Sequence, residues 1–200
     1  MKCLFSHKSF GSLGLGMLIA AFAAAPAQAS VNTSQCSEPV LTQPFLSAGD
    51  SNWYALPSGE SHDNFAGTGW TLSGGAKIVA SKLSDGATGQ VLDLPSGSKA
   101  VSPVICITTE YPNARAIIRD VKGADGVSFY VGYEGTSTWT NPKNTGQIHG
   151  NNTEWTLATP VNLQPEKVTG WQPMRITLIP CGKTSEFQLY NLYADPRMRR

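Results

Sequence analysis

The sequence is short of charge, of histidine and of long apolar runs, and each shortage excludes something. Of 200 residues only 15 are basic and 14 acidic, so the chain lacks the basic footprint by which proteins hold nucleic acid, and no nucleic-acid partner is expected. After residue 25 no stretch approaches the roughly 20 consecutive apolar residues a spanning helix needs, so no membrane span is expected. His62 and His149 lack the clustered spacing of a zinc site, and no motif implies a metal or other cofactor. Ser61, His62 and Asp63 are consecutive, whereas the members of a catalytic triad converge from separate elements, so the run is not read as one. No segment after residue 29 repeats apolar residues at helical spacing, which excludes an α-helical core.

What is present begins with Lys2 and Lys8, an apolar run at 13–25, and Ala27-Gln28-Ala29, the three parts of a secretory signal peptide. Residues 1–29 are expected to be removed, leaving 30–200 as one secreted domain near neutrality, with 13 basic and 14 acidic residues. Arg197, Arg199 and Arg200 read as a solvated tail. Cys3 leaves with the leader, and Cys36, Cys106 and Cys181 remain in an oxidising compartment. Pairing of Cys36 with Cys106 is expected, tying the N-terminal segment to the apolar run at 104–107. That leaves Cys181 free or bonding a second chain.

The folded part alternates with period two. In 171–180, Met174, Ile176 and Leu178 alternate with Arg175 and Thr177. In 185–195, Phe187, Leu189, Asn191 and Tyr193 alternate with Gln188, Tyr190 and Leu192. The intervening Cys181-Gly182-Lys183-Thr184 suits a hairpin turn. A second pair, 113–121 and 126–134, is joined by Lys122-Gly123-Ala124-Asp125 and reads the same way. Shorter strands are expected at 40–46, at an edge because of Pro44, and at 53–56, 70–72, 76–80, 90–94, 99–107 and 153–158. Residues 135–152 lack periodicity and read as a long loop of the kind that often carries function. Strands with Gly, Pro and Asn turns make the chain all-β.

Several segments also form a recognisable order: Cys36 to Pro39, Gln43 to Phe45, Gly49-Asp50, Gly69 to Ala76, Leu94 to Ser98, Ser102 to Cys106 and Tyr193 to Pro196. In this order the chain resembles a family of uncharacterised secreted proteins of actinobacteria. More distantly, Trp70-Thr71-Leu72-Ser73-Gly74-Gly75-Ala76 and the closing Tyr193-Ala194-Asp195 are similar to segments of jelly-roll, galactose-binding-like sandwiches that serve as carbohydrate-binding modules. The resemblance implies a two-sheet antiparallel β-sandwich. Jelly rolls of this kind can hold a structural calcium on acids near the last strand, but Tyr190-Asn191 stand where the family carries two acids. With Asn191 and Asp195 as the only remnants, no metal is expected.

The candidate ligand site follows from strand parity. If both hairpins lie in one sheet, Arg115, Arg119, Tyr130, Glu134, Arg175, Gln188 and Tyr190 share its polar face. Aromatic rings there would stack on the apolar side of a sugar while the charged groups bind its hydroxyls. Trp139, in the loop with His149, is a further stacking candidate. The expected function is therefore non-catalytic glycan binding. The alternatives are a structural or adhesive protein acting through protein contacts, and a glycoside hydrolase using Glu134 with Glu186 as paired carboxylates.

Overall fold

Period-two alternation produces strands wherever one face can be buried, and twelve form among the residues described by the structure, a computed structural model. Those residues are 31–37, 39–56, 65, 69–108, 112–135, 138–164 and 170–195. The expected signal peptide, the 61–63 run and the arginine tail lie outside them.

The front sheet contains β1 (Thr71–Ser73), β4 (Lys99–Val101), β11 (Gln172–Pro180), β7 (Val127–Tyr133) and β8 (Lys143–Ile148), in that order, and β5 (Ile105–Ile107) also pairs with β11. The back sheet runs β10 (Val161–Asn162), β6 (Asn113–Lys122), β12 (Glu186–Asp195), β3 (Thr88–Pro95) and β2 (Lys77–Lys82), with β9 (Thr156–Leu157) also on β6. All pairings are antiparallel. The chain is a two-sheet antiparallel β-sandwich of jelly-roll type. Met174, Ile176 and Leu178 of β11 and Phe129 and Val131 of β7 meet Phe187 and Leu189 of β12 and Ile118 of β6 in one buried core.

Both expected hairpins are absent. β6 and β12 lie in the back sheet, β7 and β11 in the front, so the links at 123–126 and 181–185 are arches that carry the chain across the core. Four or five residues suffice for either geometry, and alternation records which side chains are inward without recording which sheet they are inward from. The arches pack together: the Cys181 N–H donates to the Gly126 carbonyl at 2.9 Å. Gly126 has φ +83°, and a Cβ there would lie 2.5 Å from the Ile148 carbonyl oxygen, so only glycine fits.

Three further expectations change. β8 occupies part of the expected 135–152 loop; its sequence Lys-Asn-Thr-Gly-Gln-Ile has no alternation, because only Ile148 is buried and the register with β7 breaks between Asn144 and Gly146. The 40–46 strand reduces to a bridge between Thr42 and Tyr54, followed by a 3₁₀ turn at Leu46–Ala48. In β12 the register shifts between Tyr190 and Tyr193, with Asn191 at φ +50°. This bulge reverses the expected parity, sending Leu192 into the core and Tyr193 outward.

Cys36 and Cys106 are joined, with Cα atoms 5.5 Å apart, which fastens the N-terminal segment to β5. No described cysteine is free, so a free Cys181 is not what the structure contains. Its side chain is 3% exposed, with Sγ 3.1 Å from Ser128 Oγ. Among the described residues no helix is long and apolar enough to cross a membrane.

Candidate functional site

On β11 the residues between the core-facing Met174, Ile176 and Leu178 are Arg175, Thr177 and Ile179, which period two points out of the front sheet. Register sets Thr177 beside Tyr130 of β7 on one side and Val101 of β4 on the other, and Arg175 beside Gly132. Lys99 follows Val101 on the same outward face, towards Ile179.

The wall of the site is residues 138–142, which fold back over β7. The Thr140 N–H donates to the Tyr133 carbonyl at 2.8 Å, and the Tyr133 N–H donates to Thr140 Oγ1 at 2.8 Å. The close approach depends on Gly132, where a Cβ would stand 3.2 Å from the Thr140 carbonyl oxygen and 3.4 Å from Pro142 Cγ. This brings Trp139 over Arg175, whose Cζ lies 4.3 Å from the indole centroid. A guanidinium held over a ring face in this way is positioned by it while still carrying N–H groups for hydrogen bonding. The result is an open groove of about 400 Å³ floored by Thr177, Ile179 and Val101, with Tyr130 and Trp139 as its aromatic members.

Of the seven residues expected to share one polar face, the groove brings together Tyr130 and Arg175, and it adds the loop candidate Trp139. Glu134 is on the same sheet beyond Gly132 but does not line the groove; its Oε2 accepts from Gln35 Nε2 at 2.9 Å. Arg115, Arg119, Gln188 and Tyr190 belong to β6 and β12 and face outward from the back sheet, on the opposite side of the sandwich. The single seven-residue face expected from parity does not exist, because it required both links to be hairpins.

Those four side chains are also occupied. Arg115 pairs with Asp50 and donates through Nε to the Ala158 carbonyl at 2.8 Å. Burial pushes the Asp50 carboxyl up, but the Tyr54 hydroxyl at 2.6 Å, the Asn52 N–H and Arg115 together outweigh that and hold it below its ordinary value. Arg119 donates to Gln188 Oε1 at 2.6 Å and to Ser81 Oγ at 2.9 Å, while Gln188 Nε2 donates to the buried Asp93 at 3.0 Å. Tyr190 shares a 2.5 Å hydrogen bond with Ser84 Oγ and stands perpendicular to Trp155, which itself lies against Arg119. Phe45, Tyr54, Leu56 and Tyr193 cover the rest of this face as a second apolar cluster.

Glu134 and Glu186 are not a carboxylate pair. They lie in different sheets and at opposite ends, Glu186 by the arches and Glu134 past the last pairing of β7 with β11.

Sequence reasoning did not find Lys99, Val101, Thr177 or Ile179 as groove residues. Their membership depends on β4 pairing with β11 across more than 70 residues of chain, for which local alternation carries no signal.

No protein-family model matches the chain, and no curated protein matches it. Solved structures do. The CBM22-1 xylan-binding domain of Xyn10C from Paenibacillus barcinonensis superposes with a TM-score of 0.50 at 12% identity, over 69% of this chain and 94% of that one. The CBM22-1-CBM22-2 tandem domain of the same protein gives 0.51 at 13% identity, over 73% of this chain and 46% of that one. The CBM22-1-GH10 modules of Clostridium thermocellum xylanase 10B, complexed with xylohexaose, give 0.50 at 14% identity, over 73% and 29%. At these identities the likeness is one of fold, and the fold is that of carbohydrate-binding modules.

Proposed function

We propose that the protein is a secreted, non-catalytic carbohydrate-binding module whose ligand lies in the front-sheet groove. Residues 1–29 act as its signal peptide and 30–200 as its single domain. The observation that carries the reading is the pairing of Tyr130 and the Arg175-backed Trp139 in one open groove. An aromatic ring covers the apolar face of a pyranose, contributing on the order of 1 kcal/mol beyond area burial. The Thr140 and Thr177 hydroxyls and the guanidinium edge offer hydrogen bonds to its ring hydroxyls. The three similar structures support the reading, since each contains a carbohydrate-binding module and one is bound to a xylose oligomer.

A polysaccharide array, including cell-wall glycans, tests it. Retention on at least one glycan is expected, weakened about fivefold or more by Tyr130→Ala, with an unchanged unfolding midpoint. Retention that survives Tyr130→Ala combined with Trp139→Ala would exclude this groove.

One feature favours a second reading, association through protein contacts. Val40, Leu46 and Trp53, all in the N-terminal segment, are 87%, 57% and 53% exposed. Oligomers on sizing together with no glycan retention would select it.

A further inference from the structure

The groove is charged at both ends, and with one sign only. Lys99 and Arg175 are among its lining residues, and no aspartate or glutamate is, among the described residues. Arg175 contacts the neutral Trp139 ring, and among the described residues neither cation is in an ion pair. Elsewhere among the described residues Arg115 is paired with Asp50, Lys77 with Asp93, and Arg119 with Gln188, while Lys82, Lys122 and Lys183 are cations outside any ion pair and outside the groove. The nearest acid on the same sheet, Glu134, is turned to Gln35. In a chain with nearly balanced charge, two cations thus line an aromatic groove that carries no acidic side chain among the described residues.

Their spacing says what they would meet. Arg175 and Ile179, the end of the groove that Lys99 approaches, are four residues apart on β11, roughly 13 Å at about 3.3 Å per residue. Tyr130 and Thr177 lie between them. That distance exceeds a single sugar ring, so the two cations contact different units of an extended chain whose middle unit stacks on Tyr130.

We propose, resting on the reading of the groove as a glycan site, that its ligand is an acidic oligosaccharide, a chain bearing uronic-acid carboxylates. Arg175 and Lys99 each hold a carboxylate, and the aromatic centre holds a sugar face between them. Guanidinium suits this role because its N–H fork matches the two oxygens of a carboxylate. Acidic polypeptides share the charge but offer no flat apolar ring face for Tyr130.

The test titrates the mature protein with matched pairs that differ only in the carboxylate: oligogalacturonate and its methyl ester, glucuronoxylan and its carboxyl-reduced form. Polyglutamate is a third probe. The expected result is tighter binding of at least one acidic member than of its neutral partner, with a preference that shrinks at high salt. Lys99→Gln or Arg175→Gln should reduce that preference about threefold to tenfold each, while Lys122→Gln on the back sheet leaves it unaltered. Equal affinity for both members of each pair, lost in Tyr130→Ala, overturns the charge inference and leaves glycan binding in the groove standing. Retention of no glycan, acidic or neutral, overturns both. Polyglutamate binding as tightly as the acidic sugars also overturns the inference, because charge alone would then suffice.

Discussion

Residues of one chemical type have been given opposite duties on the two outer faces. Arg115 and Arg175 both point outward from central strands, yet the first is locked onto Asp50 while the second lies open on an indole ring. The locked pair has a pH signature. Asp50 titrates below its ordinary value of 3.8 in the fold; a depressed carboxylate contributes stability above its unfolded pKa and loses it as pH falls through the folded one. Asp50→Asn should therefore destabilise the protein by about 2 kcal/mol at neutral pH. Urea unfolding at neutrality and well below pH 3.8 checks this: the gap between wild type and variant should close in acid. A gap that persists there would mean that Asp50 acts by packing, not charge. Identity alone pointed to arginines and tyrosines as binding groups, and for Tyr130 and Arg175 parity put both on one outer sheet face, as they are in the fold. For Arg115, Arg119, Gln188 and Tyr190 parity gave the outward direction but not the sheet, and their engagement with Asp50, Ser81 and Ser84, distant in sequence, was not legible either.

Among elements, strands were legible and their partners were not. The inward sets of β7 and β11 were readable from alternation alone, and so was the first half of β12. Its second half was misread because a single bulge residue, Asn191, changes parity without any change in residue type. The arches were misread because a four-residue Gly-containing link satisfies the local rules of a hairpin. They can be tested as elements. Gly126 and Gly97 have nearly the same positive φ, but a Cβ at Gly97 meets nothing within 4 Å, whereas at Gly126 it runs into backbone. Gly97→Ala should cost about 1 kcal/mol for conformation alone, and Gly126→Ala several kcal/mol. Equal thermal shifts for the two would show that the arch tolerates an opening the geometry forbids.

At the scale of the whole molecule, the disulfide and the sheets depend on residues far apart in sequence. Cys36 and Cys106 enclose a separation of 70 residues, and the chain-entropy picture assigns such a link roughly 4 kcal/mol. Replacing both with alanine should lower the unfolding midpoint accordingly. Glycan retention should survive at temperatures where the variant is still folded, since neither cysteine lines the groove. A loss of binding without a loss of stability would place the N-terminal segment in the site.

The arch between β11 and β12 also dictates when the protein can fold. β11 sits between β4 and β7, and β12 between β6 and β3, so the two strands synthesised after all the others occupy the middle of both sheets. Until β11 and β12 have emerged, the earlier strands form only separate small groups such as β2 with β3 and β7 with β8, and the groove lacks the β11 part of its floor. A nascent chain stalled before residue 172 should be digested by protease as readily as an unfolded one. A polypeptide whose central strands arrive last stays unfolded through most of its own synthesis.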